Sequence, residues 1–200
     1  MIIIVDYNIG NVGAIQNMIN KIGYECEISS DIDKIKKARK IILSGVGSFD
    51  NGILNLRKLN LIDILNKKVL IEKTPVLGIC LGMQLMASKS EEGIEKGLNW
   101  ISQDVKKINP DFSSEITIPI LGWNYVKLIK KSPIIYEINP RYYFVHSYYF
   151  PKNTPGTFAS ANIGFDYCVG FQKENIFGVQ FHPEKSHIFG KKLLKNFCKI

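Results

Sequence analysis

No two of the four cysteines (Cys26, Cys80, Cys168, Cys198) stand close in the chain, and no CxxC pair occurs. The zinc-ribbon and dithiol-redox patterns are thereby excluded. Met1–Val5 is apolar but too short for a secretory core, and it has neither a basic lead nor a cleavage site. The expectation is a cytoplasmic protein with reduced thiols and no disulfides. No apolar stretch approaches the ~18 residues that a membrane span requires. Repeats, low-complexity tracts and linkers are missing too, so residues 1–200 are expected to form one domain, long enough to bury its own core. Only three histidines exist, His146, His182 and His187, so any imidazole that moves protons is one of these.

Acidic residues are outnumbered, 18 against 26 Lys and Arg, for a net charge of +8. Such a surplus invites a nucleic-acid or anionic-membrane partner. The densest basic run, residues 34–40, holds no aromatic side chain, which weakens single-strand binding. It reads as a solvated helix face, and the remaining charge is spread along the chain. Neither nucleic acid nor a membrane is expected as a partner.

Apolar runs without alternation, as in central strands covered on both faces, occur at Ile2–Val5, Ile41–Leu43, Val76–Ile79 and Ile176–Phe181. Between the first three lie helical patterns: Val12, Ile15, Ile19 and Ile22 before Gly23; a short helix over 32–39; and an amphipathic helix over 51–65. This alternation predicts an α/β protein with an open, mostly parallel sheet flanked by helices, of flavodoxin-like type. After Glu91-Glu92-Gly93, strand-like pieces at 105–108, 125–129, 142–145, 158–161 and 168–171 predict an additional mixed or antiparallel section. A closing helix is expected over 188–199. Gly10-x-x-Gly13 lacks the full dinucleotide fingerprint. Asn8 and Asn11 are either functional or a turn and a cap. Ser44–Phe49 is a second glycine loop at a strand end, either a plain turn or a presenter of N–H groups to an anion.

The stretch Gly78-Ile79-Cys80-Leu81-Gly82-Met83-Gln84 has the strand, sharp turn and helix of a nucleophile elbow, with cysteine at the corner. Alone, it fits a buried structural cysteine as well. A thiolate nucleophile needs a base, and the base needs an orienting partner. His182 follows a buried strand, where open α/β sheets place their crevices. Glu184, two residues on, can aim to the same side, and Pro183 stiffens the pair.

These two segments together, the elbow and Gly178–Ser186, resemble the class I (triad-type) glutamine amidotransferases. Asp6-Tyr7, Gly10-Asn11, Ser44–Gly47, Gly122-Trp123-Asn124 and Tyr143–Tyr148 resemble, within that class, the glutaminase subunits of imidazole glycerol phosphate synthases. The resemblance covers essentially the whole chain, and the absence of a synthase domain after residue 200 suits the separate-subunit form. It implies Cys80 as nucleophile, His182 as acid and base, and Glu184 as its orienter. It implies an oxyanion hole from Leu81 and the Val46-Gly47 loop, and glutamine held by Gly45, Gly82, Gln84, Glu92, His146, Ser147 and Tyr148. A (β/α)₈ barrel cyclase or synthase subunit is the implied heterodimer partner, with Asn8, Asn11, Trp123, Asn124 and Lys185 at the interface. L-glutamine is the implied substrate, and neither a metal nor another cofactor is expected. Four positions depart from the family pattern: Ser44 replaces proline, Asn8 replaces glycine, and Ile120-Leu121 replaces His-Met. They lie outside the triad and bear on partner and acceptor. A related glutaminase feeding a sugar-modifying synthase is therefore the alternative, a non-catalytic regulatory module a weaker one, and a cysteine peptidase lacks support.

Overall fold

In the computed structural model, which describes residues 1–112 and 117–200, the run Ile2–Val5 forms the first strand, β1. In chain order there follow α1 (Val12–Lys21), β2 (Cys26–Ser29), α2 (Ile32–Lys36), β3 (Lys40–Gly45), α3 (Phe49–Lys58), α4 (Leu61–Asn66), β4 (Val76–Cys80) and α5 (Leu81–Gln84). The second half supplies β5 (Lys106–Lys107), β6 (Ile120–Tyr125), β7 (Lys127–Leu128), β8 (Arg141–His146) and β9 (Tyr148–Pro151). It ends with β10 (Thr157–Asn162), β11 (Asp166–Lys173), β12 (Ile176–Val179) and α6 (His187–Lys199).

The main sheet runs β2-β1-β3-β4-β12-β11-β10-β7, with β9 joined to β11 and β5 to β9, while β6 and β8 pair separately. From β2 to β12 all neighbours are parallel, and from β12 onward they are antiparallel. Parallel strands covered on both faces need apolar residues in both directions. Accordingly Ile3, Val5, Ile41 and Leu43 face one core with Ile53, Leu56 and Leu65 of the α3–α4 layer. Ile2, Ile4, Ile42 and Leu77 face the other, with Ile15 and Ile19 of α1 and Leu193, Leu194 and Phe197 of α6. Because β4 and β12 are parallel neighbours in register, Ile79 beside Val179, residues just past each strand emerge at the same edge. That fact positions the site.

Local chemistry explains the loops after β1. Asn8 adopts φ +62°, a left-handed conformation that asparagine tolerates better than most residues, which accounts for its standing where glycine is usual. Asn11 caps α1, its side chain accepting from the Ala14 amide at 3.2 Å. Of the two readings open for Asn11, the structure displays the cap.

Three sequence expectations need correction. The helix expected over 51–65 is two helices, broken at Asn60 in the left-handed region (φ +56°). Its apolar residues recur every three positions, which lags a 3.6-residue turn, and the break returns Leu61 and Leu65 to the core. The piece read as one strand over 125–129 belongs to two. β6 pairs with β8 through Tyr125, the chain crosses at buried Val126, and β7 joins β10. Of the basic run, only Lys34 and Lys36 lie on α2, paired with Glu27 and Asp33; Lys40 opens β3. Among the described residues no helix is long and apolar enough to cross a membrane.

Candidate active site

Cys80 ends β4 with φ +53° and ψ −111°. A residue with a Cβ rarely occupies this region, at a cost of about 1–3 kcal/mol, and the packing around the turn must enforce it. Two glycines allow that packing. A Cβ on Gly82 would overlap the Leu43 carbonyl oxygen of β3, and one on Gly78 would meet Gly82 O and Met83 Cα at 2.8 Å. Gly82 is thus the point where the elbow lies directly on β3. Gly45 is likewise packed beneath the Tyr7 hydroxyl. Gly45 and Gly82 are packed beside the pocket wall without lining it.

His182 is held from behind by β8. Its amide donates to the Tyr143 carbonyl at 2.9 Å, and Ser186 Oγ donates to the His182 carbonyl at 2.6 Å while accepting from the Tyr143 amide at 3.0 Å. The ring Nδ1 lies 2.7 Å from Glu184 Oε1. A carboxylate there accepts, so Nδ1 carries the proton and Nε2 is left as the base. Nε2 is buried and makes no hydrogen bond. Burial opposes charge on this ring, but the adjacent Cys80 and Glu184 outweigh it and raise its pKa to about 10. The arrangement favours an imidazolium beside the sulfur, ready to give a proton to a leaving group.

A pocket of about 240 Å³ opens in front of Cys80. Val46, Gly47, Leu81, Gln84, Glu92, Pro119 and the segment Val145–Tyr148 line it with Cys80. Leu81 is the first residue of α5, where backbone N–H groups have no intrahelical acceptor. Glu92 accepts from the Phe49 amide at 2.8 Å, and burial raises its pKa. Gln84 Nε2 donates to the Tyr148 carbonyl and to Gln180 Oε1, both at 3.0 Å.

His146 bonds through Nδ1 to the Tyr148 carbonyl at 3.0 Å and through Nε2 to Tyr167 Oη at 3.3 Å. Burial lowers its pKa to about 4 and keeps it neutral. A base with a depressed pKa stabilises the fold above its unfolded value, near 6.5, and loses that stability as pH falls toward 4. Urea unfolding is therefore expected to show a loss of about 3 kcal/mol between pH ~6.5 and ~4, largely absent from His146→Gln. His182 adds no slope there, being protonated in both states below pH ~6.5.

The residues expected at an interface lie on the neighbouring surface. Trp123 is 40% exposed and stacks on His187 with centroids 5.3 Å apart, and Arg141 sits 5.5 Å over its ring. Leu121 and Tyr125, on the same face of β6, are also exposed. Lys185 lies 5.5 Å over the Tyr143 ring, Asn124 is half-buried, and Asn8 and Asn11 are exposed in the loop after β1. Two residues near the sulfur were given no role from sequence. Tyr7 is wholly buried with an unpartnered hydroxyl, and Gln180 Nε2 approaches Cys80 Sγ at 3.7 Å. Gln180 carried one signal, its place in the strand exit two residues before His182.

A parallel sheet that delivers a cysteine, a histidine and a glutamate to one edge, beside a small pocket, fits the class of thiol-dependent amide hydrolases. Comparison narrows the class. The family model for glutamine amidotransferase class-I matches residues 3–200, and the chain belongs to that family. It is 52% identical to "Imidazole glycerol phosphate synthase subunit HisH 2" of Methanococcus maripaludis, over 100% of this chain and 99% of the relative. It is 42% identical to the protein of the same name from Pseudomonas aeruginosa, over the full length of both. A structure described as PurLQS from Thermotoga maritima shares the fold, with a TM-score of 0.75 at 17% identity over 99% of this chain and 97% of that one.

Proposed function

We propose that this chain is the glutaminase subunit of an imidazole glycerol phosphate synthase. The observation that carries the reading is the line from Cys80, in the pocket wall, to buried His182 beside it and Glu184 behind, 2.7 Å from the ring. In this reading Cys80 Sγ attacks the carboxamide carbon of L-glutamine. The oxyanion is met by the Leu81 amide and the Val46-Gly47 loop, the large electrostatic contribution in acyl transfer. His182 gives its Nε2 proton to the departing ammonia, leaving a γ-glutamyl thioester. It then takes a proton from water, and hydrolysis returns glutamate and the free thiol. Glu184 keeps Nδ1 protonated and aimed throughout. Gln84 uses its N–H donors on the protein, so it offers its oxygen to the ligand, while Glu92 suits the α-ammonium group. Four free cysteines suit a reducing cytoplasm.

The ammonia passes to a (β/α)₈ barrel cyclase subunit docked over Leu121, Trp123 and Tyr125, with Asn8, Asn11, Asn124 and Lys185 at its margin. Gly47, at φ +117°, is a pivot at which the oxyanion loop turns. Partner binding completes the hole there, so mixing the chain with its cyclase subunit is expected to raise glutamine hydrolysis on the order of 10²-fold. A full rate from the isolated chain contradicts that switch. Ser44, Asn8 and Ile120-Leu121 favour one second reading, a sugar-modifying synthase as partner. Glutamine-dependent conversion of the imidazole-pathway substrate supports the first, and amidation only of a sugar acceptor supports the second.

A further inference from the structure

Gln180 is fully buried between the end of β12 and His182, beside Cys80 in the extended strand register. Its Nε2 donates toward Cys80 Sγ at 3.7 Å, and its Oε1 accepts from Gln84 Nε2 at 3.0 Å. The polarity of this chain of amides is fixed at its far end. A backbone carbonyl can only accept, so Tyr148 O, at 3.0 Å, holds the Gln84 amide with its NH₂ forward. His146 Nδ1, also 3.0 Å from Tyr148 O, adds a second donor to the same oxygen. With Gln84 donating, Gln180 must turn its oxygen to Gln84; the reverse would set two N–H groups against each other. The Gln180 NH₂ is left facing the sulfur.

We infer that Gln180 is a further catalytic residue of this chain, a fixed N–H donor to the Cys80 sulfur, and that Gln84 positions it. The role deepens the glutaminase reading of the same site. As a thiol, Cys80 has an acceptor in the Val145 carbonyl at 3.8 Å. As a thiolate it needs donors, and a hydrogen bond to a charged atom is worth about twice a neutral one. Sulfur regains its negative charge when the thioester is cleaved, so the same donor assists both halves of the reaction. The other titratable groups around Sγ are His182 with Glu184 behind it, the Tyr7 hydroxyl from the loop after β1, and His146 and Glu92 in the pocket. None of them is altered by a change at Gln180.

The test is alkylation of the full chain by iodoacetamide across pH, followed at Cys80 by peptide mass, with Cys26 as internal reference. Gln180→Leu is expected to slow reaction at Cys80 about tenfold near neutral pH and to displace its rate–pH curve upward by about one unit. The Cys26 curve stays in place. Gln180→Glu, which turns a carboxylate to the sulfur, displaces the Cys80 curve further. Gln84→Leu displaces it in the same direction by less, and combined with Gln180→Leu it adds nothing, because it acts through Gln180. In glutamine hydrolysis, Gln180→Leu lowers kcat with little change in KM. Should Gln180→Leu fail to fold, Gln180→Glu and Gln84→Leu are read on the same curve. Folded variants whose Cys80 curves coincide with that of the unaltered chain overturn the inference. Iodoacetamide needs no glutamine site, so failure of the glutaminase reading shows separately, as no ammonia release from the unaltered chain while the displacement persists.

Discussion

Cys80→Ala is expected to lower glutamine hydrolysis by a factor on the order of 10⁴ or more, with the fold retained. The effect is large because the sulfur is the atom that attacks: without it, His182 and the oxyanion loop have no acyl group to work on. The fold survives because the thiol contributes little to it. Its sulfur makes only long hydrogen bonds, to Val145 O at 3.8 Å and from Gln180 at 3.7 Å, and Cys80 borders the pocket at the edge of a core. Alanine also carries a Cβ, so the cost of φ +53° is unchanged between the two proteins. Ammonia release and urea unfolding, measured together, check both halves. Residual hydrolysis within about tenfold of the unaltered chain would be incompatible with a cysteine nucleophile.

Gly82→Ala is expected to be the most damaging single methyl group near the site. Its Cβ would overlap the Leu43 carbonyl, and β3 cannot retreat. Leu43 and Ser44 are paired residue by residue with Gly78 and Ile79 of β4, and β3 is bonded to β1 on its other side. The elbow must lift instead. A destabilisation of about 3 kcal/mol, at the upper end for overpacking, is expected in urea unfolding. Displacement of Cys80 by about 1 Å would lower hydrolysis by around 10². Gly13→Ala in α1 is the control. The nearest atom to its Cβ is Asn11 Oδ1 at 3.8 Å, and alanine is the better helix former by about 0.5–1 kcal/mol. Equal stability of the two variants would show that the contact at Leu43 does not constrain the elbow.

The parallel half of the fold was legible because its strands are apolar runs with no polar alternation, and α1 between the first two keeps a 3.6-residue stripe. Cys80, His182 and Glu184 were legible for a related reason: each lies at or just past the end of such a run, and parallel neighbours end at one edge. Asn60 hid the break between α3 and α4, because asparagine in a helical pattern does not announce a left-handed turn. The end of β6 at Tyr125 and β7 read as one strand because the alternation continues while the chain changes sheets at Val126. The close packing of Gly82 on the Leu43 backbone and of Gly45 under Tyr7 was not legible, because only three-dimensional packing displays it. Gln180 stayed hidden inside an apolar run, where a single amide looks like an incidental core residue. Its meaning comes from Gln84 and Tyr148, 96 and 32 residues away in sequence.

The most direct measurement of Cys80 as the glutamine-attacking nucleophile is covalent labelling of the full chain with a diazoketone analogue of glutamine, read by peptide mass. Expected is one adduct per chain, on Cys80, formed in step with loss of hydrolysis, slowed by excess glutamine and absent from Cys80→Ala. Complete inactivation with Cys80 unlabelled, or labelling indifferent to glutamine, would contradict that assignment.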